Sequence, residues 1–74
     1  MLTANGTLHR GVILSYNHVQ GTGTVRVFLF DDPLVTNDKV FERCVCEEGL
    51  VPCVDLYLYV LLRDNKVVFM QQEM

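Results

Sequence analysis

Along this chain, apolar and polar positions alternate with a period of two in short runs. Helical three-to-four-residue recurrence is hard to find. β-branched and aromatic residues fill these runs, and turn-forming residues separate them. The pattern predicts five strands, over residues 8–16, 22–30, 39–46, 54–62 and 67–71. Between the first two lies the turn segment 17–21. Asp31-Asp32-Pro33 closes the second strand, because Pro33 has no amide to donate and Asp favours turns. Residues 34–38 read as a loop, and Glu47-Glu48-Gly49 as a second turn. Residues 63–66 form a tight hairpin turn, since Asp64 and Asn65 tolerate left-handed backbone.

Alternation also sorts the faces. In the second strand Val25, Val27 and Leu29 share one side, and Thr24, Arg26, Phe28 and Phe30 the other. In the fourth, Leu56, Leu58, Val60 and Leu62 oppose Tyr57, Tyr59 and Leu61. Both faces are apolar in places, so Phe28, Phe30, Tyr57 and Tyr59 either complete a core or form an adhesive exterior for a protein partner. Five short strands without a helix predict a small closed or partly open barrel, since closure removes exposed edges.

Length changes the picture by limiting the core. The 74 residues suffice for a single domain over 1–74, with 1–7 read as an N-terminal extension. Half the residues are hydrophobic, too many for a disordered chain. The longest apolar run, 56–62, falls well below the roughly 20 residues that cross a bilayer. No segment has the basic, apolar and small-residue succession of a secretory signal, so a soluble cytoplasmic or nuclear domain without membrane attachment is expected. The net charge of −3 argues against strong binding to nucleic acid through phosphate contacts alone. Stacking needs little charge and stays open. Cys44, Cys46 and Cys53 read as free thiols in a reducing compartment. They lack the Cys-x₂-Cys knuckle of a zinc site, and no metal or other cofactor is expected. Ser15, His18 and the nearby Asp residues show no ordering of nucleophile, base and orienter, so no enzyme is expected either.

The segment Gly11-Val-Ile-Leu-Ser-Tyr-Asn-His-Val-Gln-Gly-Thr-Gly-Thr-Val25 resembles the first hairpin of the cold-shock domain, a five-stranded antiparallel barrel of the OB type. The family pattern is Gly-x-Val-Lys-Trp-Phe-Asn, three residues, then Gly-Phe-Gly-Phe-Ile. Gly11, Ile13, Tyr16 in place of Phe, Asn17, Gly21, Gly23 and Val25 in place of Ile match it without a gap. A weaker counterpart of the second family signature, Val-Phe-Val-His-Phe, is Val40-Phe41-Glu42-Arg43-Cys44. The two cover about half the chain. The resemblance implies an all-β cold-shock-type OB barrel. An unrelated five-stranded barrel of SH3 or Tudor type is the alternative for the fold.

The residues that match are mostly those that build the hairpin. The departures fall where the family stacks bases of single-stranded RNA or DNA on outward aromatics: Ser15 stands at the Trp position, Thr22, Thr24 and Cys44 at Phe positions, and Leu14 and Gln20 at Lys positions. Each stacked base is worth about 1–3 kcal/mol, so the loss removes several kcal/mol of binding. Tyr16, Phe41 and Arg43 remain as a reduced platform. Between Val25 and Lys39 lie 13 residues, more than the family usually places there. The expectation is therefore a non-catalytic module in RNA metabolism. It would bind single strands weakly through Tyr16, Phe41 and Arg43, or contact a protein in an RNA-regulatory complex through Phe28, Phe30, Tyr57 and Tyr59.

Overall fold

The computed structural model describes residues 7–29 and 34–72. Five strands form: β1 (Thr7–Asn17), β2 (Thr22–Phe28), β3 (Thr36–Glu42), β4 (Tyr57–Arg63) and β5 (Lys66–Gln72). All neighbouring pairs are antiparallel, in the order β3-β2-β1-β4-β5. The first three strands make a meander, and a long connection then carries β4 back beside β1, as in a Greek key. A plain meander would have seated β4 next to β3. The sheet curls into a half-barrel, an architecture compatible with an OB-like fold.

Its two edge strands approach at one end. Cys46 bridges Met70 in parallel, and the Glu47 amide donates to the Met70 carbonyl at 2.8 Å. The Glu47 carboxylate accepts from the Gln72 amide at 2.6 Å. The inner surface carries Ile13, Val25, Val27, Leu58, Val60, Leu62 and Met70, with Phe41 from β3 and Leu50 from the β3–β4 connection completing the core. Val25, Val27, Leu58, Val60 and Leu62 face inward as alternation predicts.

Several boundaries differ from the sequence expectation. β1 starts at Thr7, which pairs with Leu62, so that residue belongs to the sheet rather than to an extension. β3 begins at Thr36, inside the expected loop, because Thr36, Asn37 and Asp38 complete the ladder with Phe28, Val27 and Arg26. It ends at Glu42: one last bond, from the Arg43 amide to the Gly21 carbonyl (2.8 Å), precedes a 3₁₀ turn at Arg43–Val45. β4 begins at Tyr57, since the positive φ of Asp55 (70°) breaks the extended run that starts at Val54. The hairpin between β4 and β5 turns on Asp64 (φ 52°) and Asn65 (φ 66°), the left-handed pair expected of those residues. Phe30, placed on β2 by the sequence pattern, lies outside the described residues.

Candidate interaction surfaces

The first hairpin is held by Asn17 and Gly21 acting structurally. The Asn17 side-chain carbonyl accepts from the amides of Val19 (3.0 Å) and Gln20 (3.2 Å), building the turn that leads into β2. Gly21 occupies the left-handed region (φ 71°), where a side chain would be strained. Asn17→Ala removes two acceptor bonds at an exposed turn. It is expected to cost about 1 kcal/mol in urea-induced unfolding, while Asn17→Asp retains most of the stability.

A bulge decides the fate of Tyr16. The β1–β2 register shifts between Ile13 and Ser15, leaving Leu14 as the extra residue. Ile13 points inward, and the bulge then turns Ser15 outward and Tyr16 inward. Tyr16 and Phe41 lie on either side of Gly23 in one cross-strand row. Their rings stack over that glycine with centroids 6.0 Å apart and planes 6° apart, within the spacing that favours aromatic pairs. Phe41 is only 2% exposed. It is a core residue with no face open to a base, which corrects its expected place on a stacking platform. Tyr16 is half-buried beside it, with its hydroxyl oxygen buried. Arg43 is exposed on the 3₁₀ turn, apart from any outward aromatic row. The structure thus brings Tyr16 and Phe41 together, but inside the barrel.

The outward aromatics gather elsewhere. Arg10 of β1 lies directly opposite Phe28 of β2 on one side and Tyr59 of β4 on the other. Val12 lies opposite Arg26 and Tyr57, and Leu8 opposite Leu61, which itself faces Phe69 of β5. Directly opposed residues in antiparallel strands project from the same face. Phe28, Tyr57 and Tyr59 are therefore joined by Leu8, Val12, Leu61 and Phe69 in a single outer surface around Arg10. Tyr57 is 57% exposed and Leu8 52%, while Phe28, Tyr59, Val12 and Leu61 are half-buried. On the rim, the Arg26 guanidinium Nε donates to the Asp38 carboxylate at 3.1 Å. Sequence reasoning grouped Tyr57, Tyr59 and Leu61 on one side of the fourth strand and singled out Phe28, but it did not find Phe69, Leu8 or Val12. For Leu8 and Val12 the signal was a pair of apolar residues flanking Arg10 at alternate positions of β1, on the side opposite Ile13.

The thiols stay apart from this surface. Cys44 and Cys53 are exposed, and Cys46 is half-buried where the barrel closes. Burial pushes the Cys46 thiol pKa above its ordinary value, against a smaller lowering by Arg43. Among the described residues no group of three His, Cys, Asp or Glu side chains could hold a metal ion, and no helix is long and apolar enough to cross a membrane. Compared with known protein families, curated proteins and solved structures, the chain matches none of them.

Proposed function

We propose that this domain is a non-catalytic, cold-shock-like binding module that engages a protein partner through the outer face of β1 and β4. The observation that carries this reading is the convergence of Phe28, Tyr57 and Tyr59 with four aliphatic or aromatic neighbours around Arg10. Aromatic residues and Arg are enriched in protein interfaces, Lys, Glu and Asp depleted, and the face has that composition. Contiguous apolar residues on an exposed sheet face are a common mark of an association site. The hairpin resemblance to cold-shock domains supports an RNA-regulatory complex as the setting.

A second reading rests on one row. Arg10 between Phe28 and Tyr59 offers two rings and a cation side by side, the elements that stack and neutralise a single strand. The net charge of −3 and the pairing of Arg26 with Asp38 weaken it.

Tyr57→Ser and Tyr59→Ser distinguish the two. Tyr57→Ser, at an exposed site, is expected to change stability by no more than about 0.5 kcal/mol. Proteins co-purifying with the wild-type domain are expected to survive nuclease digestion and to disappear with either variant. Loss of the captured proteins on nuclease treatment, together with salt-sensitive binding of a labelled single-stranded oligonucleotide, moves the assignment to nucleic acid. Capture unaffected by both substitutions removes the outer face from the mechanism.

A further inference from the structure

The barrel is closed at one end only, and the open part of its seam has a defined chemistry. The β2–β3 register runs without interruption from Phe28–Thr36 to Thr22–Glu42. Its flanking bonds, Leu29 amide to Val35 carbonyl and Arg43 amide to Gly21 carbonyl (both 2.8 Å), fix which pairs are hydrogen-bonded. Bonded pairs recur every second residue, so Asn37, Lys39 and Phe41 direct their amides and carbonyls at β2. Asp38, Val40 and Glu42 direct theirs the other way, towards the seam. Among the described residues no backbone bond to β5 engages Asp38, Val40 or Glu42.

Beside this free edge lies a groove of about 410 Å³ between β3 and the start of β5, lined by Val40, Val45 and Val67 and by Lys39, Lys66 and Glu42. Lys39 and Lys66 are the only lysines in a chain of net charge −3, and both line this groove. Lys39 sits at an inward position of an edge strand and donates its Nζ to the Asn65 side-chain carbonyl across the gap at 2.8 Å.

We propose that this seam is a binding slot for an extended acidic peptide from a partner protein, which adds to the free edge of β3. Strand addition supplies main-chain hydrogen bonds to Val40 and its neighbours. The peptide's side chains then alternate between the two faces of β3, apolar ones beside outward Val40 and acidic ones beside inward Lys39. Lys39 exchanges a neutral amide oxygen for a carboxylate, and such charge-assisted bonds are roughly twice as strong as neutral ones. The same lysine disfavours a purely apolar or basic strand, because its ammonium would lose water with only the neutral Asn65 oxygen as partner. The slot is separate from the aromatic outer face.

The test is fluorescence anisotropy with a labelled synthetic peptide, Thr-Val-Glu-Val-Glu-Val-Thr, and a counterpart carrying Lys at both Glu positions. The acidic peptide is expected to bind saturably and the basic one not. Val40→Pro deletes an amide that faces the seam rather than β2, so the sheet tolerates it, and binding should weaken at least about tenfold. Lys39→Glu should weaken the acidic peptide by a similar factor and admit the basic one. Tyr59→Ser should leave both results unchanged. Circular dichroism checks each fold, and the charge reversal at Lys39 stands independently if Val40→Pro unfolds. Absence of binding up to about 1 mM, equal binding of the two peptides, or acidic-peptide binding unaltered by Lys39→Glu overturns the proposal.

Discussion

Phe41→Ala is expected to lower the stability of this domain by about 3–5 kcal/mol, the range for truncating a buried aromatic. Phe41 is 2% exposed, belongs to the central cluster and carries the stacked Tyr16 ring. Its removal also leaves the space above Gly23 unfilled. A chain of this length has a total stability of roughly 4–11 kcal/mol, so the variant will be largely unfolded in mild urea or at modest temperature. Urea unfolding followed by circular dichroism measures the loss. Phe41→Leu, which keeps most of the volume, should cost less than half as much. An outward Phe41 serving as a base-stacking residue would behave in the opposite way, with stability nearly unchanged on truncation. The experiment thus tests the placement of the ring directly.

Gly23→Ala is the second large effect, of opposite steric sense. A Cβ at this position would clash with the Ser15 carbonyl oxygen and lie 2.8 Å from Cζ of Phe41. The first of these atoms is backbone and belongs to the bulge, so it cannot swing aside as a side-chain tip would. Either the β1–β2 ladder must open or the aromatic stack must leave. Overpacking usually costs about 1–3 kcal/mol, and a clash with fixed backbone puts this substitution at or above the upper figure. The matching measurement is the same urea titration. Combining Gly23→Ala with Phe41→Leu should recover part of the loss, because it relieves one of the two contacts. The two sites share a partner, and their effects will not add.

Much of the architecture was legible in the chain. The inward sets Val25–Val27 and Leu58–Val60–Leu62 were read correctly because each strand has one wholly apolar side. The turn at Asp64-Asn65 was legible because few residues other than Gly accept left-handed backbone so readily. The ends of β3 were not. Thr36, Asn37 and Asp38 look like loop residues, yet on an edge strand polar side chains can point to solvent while the backbone still pairs.

The candidate surfaces followed the same division. Tyr16 and Phe41 were recognisable as aromatics at the positions of two family motifs, but their direction was not. A one-residue bulge reverses the alternation beyond it, and nothing in the residues around Leu14 announces one. Val40 and Phe41 are both apolar neighbours, and only the pairing of Phe41 with Gly23 sends Phe41 inward and leaves Val40 72% exposed. By itself, the sequence determined the strand count, the turn chemistry and the inward aliphatics, because these depend on contacts between near neighbours. The tertiary structure alone decided which aromatics are core and which are surface, how Phe28 and Tyr59 meet across Arg10, and where the barrel stays open. Those outcomes depend on register between strands distant in sequence, which a period-two pattern cannot encode.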